Sequence, residues 1–118
     1  MIQDKPTRGV TKTLKPSTTS REILYTTPNN ITGFVTCVIM ANDNASADVM
    51  KFEIYDSSAS TYFVVFNQDV AGNDSFVFSE GTLVLEKGDQ LVLTATNADR
   101  VSVTVTVEEY RDISRSGV

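Results

Sequence analysis

The stretch Gly81–Tyr110, GTLVLEKGDQLVLTATNADRVSVTVTVEEY, decides the fold. Leu83 and Leu85 alternate with Val84 and Glu86, and Lys87-Gly88-Asp89 then turns the chain. Leu91, Leu93 and Ala95 take one side of the next segment, and Val92, Thr94 and Thr96 the other. After Asn97-Ala98-Asp99-Arg100, Val101, Val103, Val105 and Val107 share a face opposite Ser102, Thr104, Thr106 and Glu108. An apolar period of two is the mark of a half-buried antiparallel strand, and β-branched threonine suits its outer face.

Outward from that stretch, short β-branched and aromatic runs alternate with turn clusters, and no segment has a useful helical period. Strands are expected at 22–27, 31–41, 47–56, 61–67, 75–79, 82–87, 89–97 and 100–109. The breaks carry turn chemistry: PNN, NDNAS, SSAS, QDVAGND, KGD and NADR. Eight short, evenly spaced strands predict an all-β, antiparallel two-sheet β-sandwich, either a jelly roll or immunoglobulin-like. The domain is expected over residues 22–110, with a C-terminal tail at 111–118.

Residues 1–21 read as an extended N-terminal arm. Pro6 and Pro16 disfavour helix, and only Ile2, Val10 and Leu14 are sizeable apolar side chains. Charge separates the arm from the body. Residues 1–21 hold five basic groups against Asp4 alone; the remainder holds five against fourteen acids, for a net charge of −5. A basic arm on an acidic body marks an interaction tail, and Lys5, Arg8, Lys12, Lys15 and Arg21 are its candidate contact residues.

Two expected strands are apolar on both faces. In ITGFVTCVIM, Val35, Cys37 and Ile39 oppose Phe34, Val38 and Met40; in TYFVVFN, Tyr62, Val64 and Phe66 oppose Phe63 and Val65. Such strands need cover from a loop, from the arm or from another subunit. Phe34, Val38, Met40, Phe63 and Val65 are the candidates for a subunit interface.

Chemistry-bearing residues are sparse. The chain has no histidine, which excludes Ser-His-Asp and Cys-His catalysis and histidine metal ligands. Cys37 is the only cysteine and reads as a small buried hydrophobe. Glu53 with Asp56, or Glu80 with Glu86, are the available carboxylate pairs, and strand-surface acids explain them more simply. Asp43 with Asp48, and Asp69 with Asp74, lack the dense acidic loop pattern of a calcium site. No cofactor and no metal are expected. Trp is absent, and Tyr55, placed opposite Met50, Phe52 and Ile54, is the one outward tyrosine that would suit a sugar platform. An acidic body argues against nucleic acid, and no apolar run is long enough to cross a membrane as a helix. The N-terminus lacks a signal-type apolar stretch, so synthesis in the cytoplasm is expected, and the sequons at Asn30, Asn44 and Asn73 read as chance.

Two segments carry a family pattern. EILYTTPNNITGFVTCVIMAN resembles the opening of small tailed-bacteriophage virion proteins of the β-sandwich type, and TLVLEKGDQLVLTATNADRVSVTVTVEEY resembles their closing hairpins. Leu24, Tyr25, Pro28, Asn42, Leu85, Gly88 and Asp89 fall on recurring positions, to which the resemblance assigns no functional role. The resemblance implies a non-enzymatic virion structural protein, and first a capsid decoration or cement protein on the outer capsid surface. Its implied partners are the major capsid protein and further copies of itself, with a trimer favoured. A tail, neck or fibre component is the alternative, and a carbohydrate-binding module the second.

Overall fold

The computed structural model describes residues 8–79 and 83–112. Among these residues nine strands form: β1 (Arg8–Leu14), β2 (Glu22–Thr26), β3 (Ile31–Asn42), β4 (Asp48–Asp56), β5 (Thr61–Val70), β6 (Asp74–Phe78), β7 (Leu83–Leu85), β8 (Gln90–Ala95) and β9 (Val101–Arg111). They build two antiparallel sheets. The first runs β1-β9-β3-β6, with β7 also paired to β3; the second runs β2-β8-β4-β5.

The pairings nest. β1 pairs with β9, β2 with β8, β3 with β6 and β7, and β4 with β5. This is one long hairpin strip, rolled so that β9 meets β3 and β8 meets β4. That order is the jelly roll, which decides between the two sandwich topologies left open by the sequence. Its core lies between the sheets. Val101, Val103, Val105 and Val107 meet Met50, Phe52, Leu91 and Leu93, all fully buried. Phe66 stacks on Phe52 at 5.0 Å and meets Phe76 and Phe78 edge-on or tilted, closing one side of the core.

Three features depart from the expectation. First, the supposed arm is a strand from Arg8 to Leu14. It cannot bury surface alone, but β9 offers it a free edge, and its inward Val10 and Leu14 pack against the core. The sheets therefore take in chain on the arm side of residue 22. Second, the two-faced apolar pattern of β3 is a register effect. The pairing with β9 shifts between Val35 and Cys37, so inward residues are Gly33 and Val35 before the bulge and Val38, Met40 and Asn42 after it. A bulge adds one residue to one strand and inverts the alternation beyond it. Val38 and Met40 are thus core residues, 0% exposed, and no part of a subunit interface. Third, β5 shifts register against β4 between Phe52 and Glu53, which leaves Val65 as the extra residue.

The turns are tied by side chains. Gly88, at φ 82°, supplies the left-handed residue between β7 and β8. Asp89 accepts the backbone N–H of Glu86 at 2.9 Å, and its other oxygen accepts the N–H and hydroxyl of Ser57 in the β4–β5 turn. Buried Asn42 donates to the carbonyls of Ser46 and Val70 and accepts from the N–H of Asn44. The recurring positions Asn42, Gly88 and Asp89 thus organise the ends of the strands.

Candidate assembly surfaces

The basic residues of the N-terminal segment separate on the structure. Lys5 lies outside the described residues. Arg8, Val10, Lys12 and Leu14 pair with Glu109, Val107, Val105 and Val103, so they share the inward side of β1. At the open edge between β1 and β2, a cleft of about 560 Å³ is lined by Arg8, Lys12, Ile23, Tyr25, Pro28 and Glu109 among others. Glu109 is 1% exposed. It accepts the Tyr25 hydroxyl at 2.5 Å and the Arg8 Nε at 2.8 Å. Burial first, then the bond to Glu109, push the Tyr25 phenol above its ordinary value. The bond and charge of Glu109 raise the Arg8 guanidinium. Tyr25 therefore stays a donor and Arg8 a cation, and the inward carboxylate is matched by both.

The sequence contained the signal for Glu109. It continues the 101, 103, 105, 107 period onto the core face, a step beyond the last valine. An acid there needs a donor from the facing sheet, and Tyr25 supplies one. Gly33 packs against Val107: a Cβ at that position would crowd it at 3.1 Å and come into ordinary contact with the Tyr25 hydroxyl at 3.6 Å.

The remaining basic residues lie elsewhere. Lys15 meets Asp43 at 3.4 Å. Arg21 bonds Glu53 at 3.1 Å and places its guanidinium 3.8 Å from the centre of the Tyr62 ring. Tyr62 packs on Tyr55 at 4.8 Å. Glu53 is 3% exposed on the outer side of β4, where the cross-strand row reads Ile23, Val92, Glu53, Val64. Glu53 therefore acts as the anchor of Arg21, and Tyr55 packs beside it rather than standing alone as a platform. Among the described residues, no three His, Cys, Asp or Glu side chains gather as a metal-binding group.

The outer face of the first sheet is a carpet of threonine with an apolar margin. One row reads Thr13, Thr104, Ile39, Val77; another reads Gly9, Glu108, Phe34, Val84. Ile39, Val77 and Val84 are exposed, and Phe34 packs edge-on against Tyr110 at 5.1 Å. Cys37 lies between the rows, half-buried. Of the interface candidates, Phe34 belongs to this margin. Phe63 is exposed on β5, while Val65 packs half-buried against the core.

No protein-family model and no curated protein matches the chain. Solved structures do. The fold is similar to the protein of Bacillus endospore appendages, which form disulfide-linked pili. Identity is 15%, with a TM-score of 0.53 over 90% of this chain and 87% of that one. A pentameric capsid protein from metagenomic phage sequences is 19% identical over 88% of this chain and 63% of that one, at a TM-score of 0.46. Eiger TNF from S. frugiperda is 12% identical over 93% and 96%, at 0.45. At 15% identity the likeness to the appendage protein is one of fold alone.

Proposed function

We propose that this chain is a non-enzymatic structural subunit of a tailed-phage virion, bound to the outer shell as a decoration protein. The observation that carries the reading is where the structure leaves surface unsatisfied. On the outer face of the first sheet Ile39, Val77 and Val84 are exposed, and Val84 sits opposite Phe34, which packs on Tyr110. The sequence resemblance to small virion proteins points the same way. The likeness in fold to the endospore appendage protein, which forms pili, supports an assembly role.

Attachment to the shell combines that face with the β1 edge. Lys12 makes no ion pair among the described residues, and Arg8 commits only its Nε to Glu109. Together they offer positive charge to an acidic shell subunit, while the acidic remainder faces solvent. The protein then acts mechanically. Each copy bridges neighbouring shell subunits and stabilises the assembled state by binding it alone.

Copy number tests this directly. Gradient-purified particles are analysed by quantitative mass spectrometry against the main shell subunit. A high, fixed ratio is the expected result. A low number, matching a ring or fibre, would assign the chain to the tail or neck, and absence from particles would overturn the virion reading.

A further inference from the structure

Among the described residues, four borders limit the two sheets, and three of them are guarded. β1 carries Arg8, Gly9 and Lys12. β2 is five residues long, shifts register at Leu24 and is followed closely by Pro28. β6 and β7 are five and three residues and divide the edge of β3 between them. Short length, charge, proline and bulges are the devices that keep sheet edges from pairing.

β5 has few of these. It is ten residues long, TYFVVFNQDV, and stands at the end of the second sheet. Thr61–Gln68 holds no charge, no proline and no glycine. Its bulge falls at Val65, beyond the run Tyr62-Phe63-Val64, whose side chains are 39%, 52% and 53% exposed. Apolar side chains exposed on both sides of an unpaired edge form a template for another strand.

We infer that β5 pairs with β5 of a second copy, antiparallel about a two-fold axis at Phe63, to make one continuous eight-stranded sheet. In this register Phe63 faces Phe63, and Tyr62 faces Val64. Directly opposed residues of an antiparallel pair share a face, and this register keeps each exposed apolar side chain against another. A second copy is the fitting occupant for two reasons. The strand is self-complementary over Thr61–Val65, as a two-fold interface requires. Its own residues Thr61–Gln68 are uncharged, and the Arg21 guanidinium that lies over the Tyr62 ring is paired with Glu53, so two copies meet there with no unpaired like charges. Asp69 falls beyond the paired centre. The resulting two-fold contact differs from the trimer implied by the sequence resemblance, and it is independent of the virion reading because it belongs to the isolated chain.

The register is tested by cross-linking the full chain. Cys37→Ser removes the native thiol, and Phe63→Cys introduces one at the proposed axis. Opposed Cα atoms in an antiparallel pair lie about 4.5–5.5 Å apart, inside the range that a disulfide spans. Mild oxidation is expected to convert Phe63→Cys to a covalent dimer, while Val77→Cys, equally exposed on the first sheet, remains mostly monomeric. Sedimentation equilibrium of the unmodified chain is expected to show a monomer–dimer equilibrium that Val64→Lys weakens by about tenfold or more. Circular dichroism and thermal midpoint control for folding. Equal cross-linking at positions 63 and 77 overturns the proposal. So does an unmodified chain that stays monomeric at its highest soluble concentration; if Val64→Lys then still loses particle attachment, the edge takes a foreign strand instead.

Discussion

At Gly72 a hydrogen stands where any side chain would collide. A Cβ there would lie 2.1 Å from the carbonyl oxygen of Ala45 and 2.5 Å from its carbon. Both atoms are backbone, and the neighbouring Asn73 N–H is bonded to the carbonyl of Asn44 at 2.9 Å. The loop cannot yield cheaply, so Gly72→Ala is expected to cost about 1–3 kcal/mol by overpacking. Chemical denaturation measures this, and an unchanged midpoint would refute the close approach. Tyr25→Phe tests a different kind of residue effect. It leaves one oxygen of buried Glu109 without its donor, which costs about 1–3 kcal/mol. The phenol is raised in the folded state, so its contribution is complete below the ordinary tyrosine value of 10.0. It is lost as pH rises past that value toward the higher folded one, because the unfolded chain ionises first. The stability gap between wild type and Tyr25→Phe is therefore expected to be constant below pH 10 and to narrow above it. A gap independent of alkaline pH would remove the Tyr25–Glu109 bond from the account. Gly72 does not declare this in the sequence, where it reads as an ordinary turn glycine. Glu109 declares its inward face by continuing the valine period, but its donor Tyr25 is found only when the facing sheet is placed over it.

Strands were legible where one face is buried and the period holds without interruption. β8 and β9 do this, and their expected inner residues are the ones that fill the core. β3 defeats the same reading because a period of two contains no information about a bulge. Its apolar residues change parity at Thr36, and parity alone groups Val38 and Met40 with Phe34, opposite Val35. β1 was missed for another reason. RGVTKTL carries two modest apolar residues, and its stability as a strand comes from the edge of β9 rather than from its own composition. The bulge makes a prediction at this scale. Deleting Thr36 restores a plain alternation in which Val35 and Val38 both stay inward, so the chain is expected to fold with a loss of about 1–2 kcal/mol. Deleting Ile39 instead turns Met40 and Asn42 outward and is expected to abolish folding. Circular dichroism and denaturant unfolding of the two deletions separate them. Similar behaviour in both would mean that the bulge does not set the face of β3.

Across the whole molecule, the last strand of the described residues is central to its own sheet. β9 runs from Val101 to Arg111, pairing with β3 along that length and with β1 from Val103 to Glu109. Its partner on one side is the first strand, with Arg8 opposite Glu109. Four of its valines are fully buried, so without β9 the core loses one wall and β1 loses the strand it pairs with among the described residues. This nesting defers much of the stabilising contact to the end of the chain. Loop-closure entropy is met before the long-range pairings form, and such topologies fold in milliseconds to seconds rather than microseconds. A chain of residues 1–100 is therefore expected to show no cooperative unfolding transition, although it retains most of the strand-forming sequence. The full chain is expected to refold in one slow phase in stopped-flow measurements. Hydrogen exchange should then find amides of β3, β8 and β9 opening together, because each rolled contact depends on the next. A cooperative transition in residues 1–100 would show that the second sheet and β3 hold a core by themselves. The jelly roll would then be assembled around that core, and β1 and β9 would be a late, separable addition rather than the closure on which the fold depends.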